Sequence, residues 1–405
     1  MIKKIKVERL KPGFFVHDFN CGWLNHPFFK NRMMLKSDKD IEKIVARGIH
    51  EVYIDTDAGL DLDDAPTQEE VDQAIDNELE ALTPAIPSKP ASVPLAERVD
   101  QSKTLIIESK FTTQCLLDGV KFGQPIDTAE LASMIDNVTA QVLDDGNALV
   151  CLLRNKRRNE YSYLHSLSVA ALCISFAQSM SFDAEQVRDL GMGGLLHDIG
   201  EVRTPSRILN KPGPLTDDEY GIMQQHVARG IEIVRQTGRL SAASASIIAQ
   251  HHERLDGTGY PKGLRGDEIG LFGQVAAIAD IYDALTSTRC YNVPLPPTGA
   301  LRKIYEWSDT YLNRYLVEQF IAHIGVYPIG SLVRMRSGEV GVVLRHGEQS
   351  LLRPVVRIIF DRFNRRVNDA SEVDLSLDAA GSDGYDIVHC ESSERLKADP
   401  IRFLF

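Results

Sequence analysis

The chain has 405 residues, enough for two or three domains of about 150 residues each with a core of its own. Its 45 Lys and Arg against 57 Asp and Glu give a net charge of −12, which excludes a protein that coats DNA, RNA or an anionic membrane, since those need a broadly basic surface. Hydrophobic residues at 43% and charged ones at 25% exclude wholesale disorder. The six cysteines (Cys21, Cys115, Cys151, Cys173, Cys290 and Cys390) are too far apart in sequence for a zinc ribbon or a CxxC pair, and read as free thiols in a reducing compartment. The first residues lack the apolar run of a signal peptide, and nowhere do about 18 apolar residues follow one another, so a cytoplasmic protein with no membrane span is expected.

In chain order, residues 1–64 read as a small α+β unit. Strand-like runs at Ile2–Val7 and Gly13–Val16 flank a turn at Lys11-Pro12-Gly13. Ser37-Asp38-Lys39-Asp40 caps a helix that Gly48 ends, and Glu51–Asp55 returns as a strand. Residues 65–94 are first acidic and then rich in proline (Pro84, Pro87, Pro90, Pro94), the composition of a mobile, solvated linker. Residues 95–139 form a helical connector, and helical periodicity continues through 140–326, with capping boxes at Asp183–Gln186 and Thr216–Glu219. From 327 to 405 the period changes to two, with a hairpin around Ser337-Gly338 and a further strand at Val355–Phe360. The fold class expected is multi-domain and mainly α, with an all-helical core, a small α+β unit before it and a β-rich tail.

The chemistry concentrates in one series of histidines and aspartates. His197-Asp198 ends an apolar helix, with Gly200 expected as its left-handed cap, and the negative end of a helix suits a cation. His251-His252 are adjacent, so both can face one ion only near a helix end, which Glu253–Pro261 supplies because it cannot continue a helix. Asp280 and Asp283 share one face of an apolar helix, where an unpaired carboxylate is expensive. A lone histidine of this kind is more often a hydrogen-bonded core or surface residue than a ligand. The ordered set within one helical unit favours a metal centre, and without cysteine the donors suit Zn, Mn, Fe or Ni.

The order His165, His197-Asp198, His226, His251-His252-Glu253-Arg254-Leu255-Asp256-Gly257-Thr258-Gly259-Tyr260-Pro261 and Asp280-Ile281-Tyr282-Asp283 resembles an HD-GYP domain over about residues 140–326. The first 130 residues look like the accessory domain that often precedes it. The resemblance implies a metal-dependent phosphodiesterase that opens cyclic di-GMP to pGpG, to GMP, or to both. It implies two divalent transition-metal ions, Fe or Mn first and Zn or Ni as alternatives. His165, His197, Asp198 and Asp280 would hold one ion, and His226, His251 and His252 the other, with Asp198 bridging. Two such ions stabilise both the attacking and the leaving oxygen of a phosphodiester. His197, Asp198 and Asp283 form the implied catalytic set, with Asp283 a base or an orienting group. A third-ion glutamate is not expected, because Glu160 lies five residues before His165 and Tyr161 occupies the position one turn before it.

Arg289 matches a family arginine that clamps a substrate phosphate, and Lys262 and Arg265 are further candidates. Gly259-Tyr260-Pro261 would form a loop open to diguanylate cyclase (GGDEF) domains. Two positions depart from the pattern: Glu201 stands where the family carries lysine, and Asn292 where many members carry Lys or Arg. A carboxylate in place of an ammonium repels a dianionic ligand. Two other readings therefore remain: a catalytically weakened sensor or interaction protein, and an HD phosphohydrolase acting on another nucleotide.

Overall fold

The computed structural model describes residues 1–22, 32–82, 95–154, 161–237, 240–287, 294–347, 350–367, 371–377 and 386–404. Glu160, Arg289, Asn292 and the proline-rich stretch lie outside the described residues. The chain is multi-domain and mainly α, with a small sheet toward each end.

The first sheet contains β1 (Ile2–Lys6), β2 (Phe15–Asp18) and β3 (Met33–Met34), followed by α1 (Asp38–Ala46) and β4 (Glu51–Asp55). All pairings are antiparallel in the order β1-β4-β2-β3. The turn expected at Lys11-Pro12-Gly13 therefore joins strands that are not neighbours, because β4, with Val52, Tyr53 and Ile54 buried, takes the place between them. Ile5, Val16, Val52 and Ile54 meet Phe14, Phe19 and Ile44 in a core of their own. In place of a solvated acidic linker, Gln68–Glu80 form α2. Thr67 N donates to Glu70 Oε2 at 2.8 Å and Glu70 N to Thr67 Oγ1 at 3.2 Å, closing a capping box. Ile75 and Leu79, one turn apart, are buried in the main helical core, and Val71 packs against it.

The helical body comprises α3 (Leu95–Lys121), α4 (Thr128–Arg154), α5 (Tyr161–Ser179), α6 (Ala184–Leu196), α7 (Ser206–Leu209), α8 (Asp217–Thr237), α9 (Ala242–Gln250), α10 (Leu271–Thr286), α11 (Pro297–Glu306) and α12 (Arg314–Ile324). The capping boxes at Asp183–Gln186 and Thr216–Glu219 start α6 and α8. Helix α5 is buried from Leu164 through Ala177, as expected of a helix apolar on every side. It packs against α4, α6 and α10, and α6 packs against α9. The tail forms β5 (Leu332–Met335), β6 (Val340–Arg345), β7 (Val355–Phe360), β8 (Glu372–Asp374) and β9 (Ile387–Glu391), an antiparallel sheet ordered β8-β7-β6-β5-β9 in which β5 and β6 are the hairpin around Ser337-Gly338.

The N-terminal unit is docked on the helical body through α11. Arg302 grips Asp76 of α2 with both arms at 2.7 and 2.6 Å, and Tyr305 Oη donates to Glu78 at 2.6 Å. Lys303 Nζ reaches Asp18 at 2.8 Å, Trp307 Nε1 donates to the Asn20 carbonyl at 3.2 Å, and Tyr53 Oη donates to Glu306 at 2.8 Å. Tyr311 Oη donates to the Gly48 carbonyl at 2.9 Å, and His50 lies 2.7 Å from Asp256.

Gly200 is not a left-handed cap. It lies in a 3-10 turn (Ile199–Arg203) after α6, and its role is close approach: a Cβ there would stand 1.9 Å from the His226 carbonyl oxygen of α8. Gly200→Ala therefore forces the turn away from α8. A loss of about 1–3 kcal/mol in urea unfolding is expected. An unchanged midpoint would show that the turn has room to move.

Candidate metal centre

Each candidate ligand sits at a helix end or on a buried helix face. His165 is on α5, His197 caps α6 with Asp198 directly after it, His226 is on α8, His251 caps α9 with His252 after it, and Asp280 is on α10. The end of α9 at Gln250 lets the two adjacent histidines turn toward one centre: their ring centroids lie 4.1 Å apart.

Asp198 is the meeting point. Its Oδ2 lies 3.1 Å from His197 Nε2 and 3.6 Å from His165 Nε2, while its Oδ1 lies 3.2 Å from His226 Nε2 and 3.5 Å from His251 Nε2. His165 Nε2 is also 3.2 Å from Asp280 Oδ1. Two groups result whose donor atoms are close enough to hold an ion: His165, His197 and Asp280, and Asp198, His226, His251 and His252.

The outward nitrogens are fixed by partners. His197 Nδ1 meets the Gly194 carbonyl at 2.8 Å, His226 Nδ1 the Met223 carbonyl at 2.8 Å, and His251 Nδ1 the Ile247 carbonyl at 3.2 Å. A carbonyl can only accept, so Nδ1 carries a proton and Nε2 is the nitrogen left to give its lone pair to an ion, the arrangement metal-ligating histidines use. His197 Nε2 is buried with no hydrogen-bond partner. Such an orphaned nitrogen, among carboxylates and imidazoles, fits an ion-binding centre.

Electrostatics point the same way. Burial alone would raise the Asp198 carboxyl, but His197, His165 and His226 outweigh it and hold the group well below the carboxylate range. Asp280 is likewise held down against burial, chiefly by His165 and then His197. Burial lowers His165, yet Asp198, Asp280 and Asp283 push it up to about 10. His197 and His226 are also raised against burial, chiefly by Asp198. His252 is depressed by burial and by its neighbours His251 and His226.

Asp283 does not line the cavity beside this centre. Its oxygens are taken by His165 Nδ1 at 2.7 Å, by the Ser168 hydroxyl and by Ser287 Oγ at 3.4 Å. Of the two roles implied for it, those contacts suit orienting His165 and not acting as a base. Tyr260 corrects another expectation. It is not an exposed loop tip but stacks on His252 with ring centroids 4.6 Å apart, and its hydroxyl is buried. Gly259 allows this, since a Cβ there would stand 2.4 Å from Arg254 N, and Pro261 is the residue of the three that is exposed. Lys262 and Arg265, expected near substrate, are exposed and do not line the cavity, because the loop turns their side chains outward. Arg254 and Lys303 line it instead, as does Glu201. Glu253 is buried and accepts Lys262 N at 2.8 Å and Leu264 N at 2.9 Å, pinning the loop. Ser168 and Glu253 were within reach of the sequence: one stands three residues after His165 on the same helix, the other next to the paired histidines.

The geometry defines a helical protein with a His/Asp metal centre of the HD class. Comparison with known proteins agrees. Residues 140–316 match the HD domain family, residues 2–131 a domain of unknown function (DUF3391), and residues 332–380 a KOW domain associated with HD domains. The chain is 38% identical over 93% of its length, and 89% of the relative's, to the cyclic di-GMP phosphodiesterase PA4108 of Pseudomonas aeruginosa. A cyclic di-GMP phosphodiesterase of Thermotoga maritima is 38% identical over 40% of this chain and 45% of its own. A 3'3'-cGAMP-specific phosphodiesterase of Vibrio cholerae is 34% identical over 46% of this chain and 36% of its own. The structure of Bd1817, an HDG"Y"P protein of Bdellovibrio bacteriovorus, overlaps with a TM-score of 0.47 at 16% identity, over 79% of this chain and 98% of that one. The chain belongs to the HD-GYP cyclic di-GMP phosphodiesterase family.

Carboxylates push His165 up to about 10 and raise His197 and His226, so an ion that binds near neutral pH must displace the His165 proton. Mn(II) affinity should therefore rise between about pH 6 and 9, with proton release visible by calorimetry in buffers of different ionisation heat. Flat affinity across that range would contradict the assignment. Glu253→Ala leaves two backbone N–H groups without their acceptor and should cost about 2 kcal/mol, with faster amide exchange at Lys262 and Leu264.

Proposed function

We propose that the chain is a metal-dependent phosphodiesterase that opens cyclic di-GMP to pGpG, to GMP, or to both, lowering this messenger in bacterial signalling. One observation carries the reading: Asp198 turns one oxygen to each of two ligand groups, both edging a cavity of about 440 Å³. The relatives' named activities support it.

In this reading His165, His197, Asp198 and Asp280 hold one divalent ion, and His226, His251 and His252 a second that shares Asp198. Fe or Mn is the first choice and Zn or Ni the alternative, given nitrogen and oxygen donors without cysteine. Bound ions supply positive charge that offsets a phosphodiester and favours attack by water. The chain's own groups do the positioning. Asp283 fixes His165, main-chain carbonyls fix His197, His226 and His251, and Glu253 holds the loop that carries Tyr260 against His252. Catalysis falls to residues 140–326, with residues 1–64 as accessory unit, 95–139 as connector and 327–405 as tail. No helix among the described residues is long and apolar enough to cross a membrane, and a cytoplasmic enzyme meeting a cytoplasmic nucleotide is the location we assign. A diguanylate cyclase domain that met the loop would touch Pro261 and Lys262, which face outward, and not Tyr260.

A second reading, a weakened enzyme that binds more than it turns over, is favoured by Glu201, whose carboxylate lines the cavity. Both are tested by chromatography of cyclic di-GMP and 3'3'-cGAMP after incubation with protein loaded anaerobically with Fe(II) or Mn(II). Linear product from cyclic di-GMP is expected, with at least a hundredfold loss, on the order of the effect of removing a catalytic ligand, in His197→Ala and Asp198→Ala. Binding without product under either metal would establish the second reading. Cleavage of 3'3'-cGAMP alone would move the substrate assignment.

A further inference from the structure

The cavity beside the metal centre has two walls from different parts of the chain. The helical domain contributes Asp198, His226 and Asp280 to its lining, and the N-terminal unit contributes His17, Tyr53 and Arg32. We infer that this unit completes the substrate site, with Arg32 binding the phosphate that is not cut and His17 beside it contacting ribose or base. The inference rests on the phosphodiesterase reading and names a part of the site outside the catalytic domain.

The placement follows from strand geometry. In β2, Val16 enters the unit's own core, and the pairing with β4 shifts register between Val16 and Asp18, so that His17 and Asp18 both line the cavity. Tyr53, paired with Asp18 across β4, lines the same cavity. The wall is held fast. Asn20 Nδ2 donates to Glu306 at 2.9 Å, Tyr53 Oη donates to the same carboxylate at 2.8 Å, and Trp307 Nε1 reaches Asn20.

Charge accounting singles out Arg32. A cyclic dinucleotide carries two phosphodiesters, and a centre that holds the one being cut leaves the other out in the cavity. Glu201 stands on the lining where the family resemblance places a lysine, so cationic contact must come from elsewhere. Lys303 is engaged by Asp18 at 2.8 Å and Asn20 at 3.1 Å, and the Arg254 guanidinium lies over the Tyr311 ring at 4.5 Å. Arg32 is exposed at the cavity and pairs with no described carboxylate. A guanidinium fork suits a phosphate. His17 Nδ1 is buried without a hydrogen-bond partner, and burial together with the Arg32 charge keeps the ring neutral, suited to a polar group and not to an anion.

The test uses the full chain loaded with Mn(II), with cyclic di-GMP and bis(p-nitrophenyl) phosphate as substrates. The second carries a single phosphodiester and has no use for an outer phosphate contact. In Arg32→Ala, KM for cyclic di-GMP should rise about tenfold with kcat within about twofold, as for loss of one charged hydrogen-bond pair. Bis(p-nitrophenyl) phosphate turnover and metal content should be unchanged, and Arg32→Lys should recover part of the loss. His17→Ala should raise KM by a smaller factor. Wild-type turnover of cyclic di-GMP with KM unmoved in Arg32→Ala would overturn the inference, as would equal losses on both substrates. Wild-type turnover of bis(p-nitrophenyl) phosphate without any of cyclic di-GMP would overturn the functional reading beneath it.

Discussion

A carboxylate largely withdrawn from water is costly unless opposite charge or hydrogen bonds meet both of its oxygens, and half-buried Asp198 is met on both sides. Four helices end or cross so as to bring their imidazoles to it: α5 through His165, the end of α6 through His197, α8 through His226 and the end of α9 through His251. The approach of the turn after α6 to α8 needs Gly200, and α5 can supply its buried histidine because it is surrounded on every side. Much of the helical body can be understood as the packing that keeps these groups within a few ångströms of one carboxylate.

The cluster of histidines and aspartates was legible because its parts lie in short strings at helix ends, where composition marks both the side chain and the stop. His251-His252 before a run that cannot stay helical is the plainest case. The direction of loop side chains was not legible. Lys262 and Arg265 have the charge a phosphate wants, yet charge says nothing about which way a loop turns, and both face solvent. Tyr260 erred in the opposite sense, because the stack on His252 depends on Gly259 approaching the Arg254 backbone. Arg289 lies outside the described residues, and its role stays where the family resemblance put it.

Helix α2 shows how composition can mislead. Its many acids read as a solvated linker, but Thr67 and Glu70 form a capping box, and Val71, Ile75 and Leu79 recur at a helical spacing of four. The acids themselves serve docking, Asp76 to Arg302 and Glu78 to Tyr305. Contacts of the N-terminal sheet with α11 had no sequence signal at all. Asn20 and Trp307 are 287 residues apart, and no pattern in either neighbourhood announces the other.

That docking has a consequence for how the chain can be divided. The family boundaries invite excision of the helical domain as a fragment. Such a fragment would leave the indole nitrogen of Trp307 and the hydroxyl of Tyr311 without Asn20 and Gly48, and the charges of Lys303 and Glu306 without Asp18, Lys4 and Tyr53. It would carry a raw face of aromatic rings where the intact chain has an internal seam. Handling properties of the excised piece, its solubility above all, would then report on the missing unit more than on the domain itself.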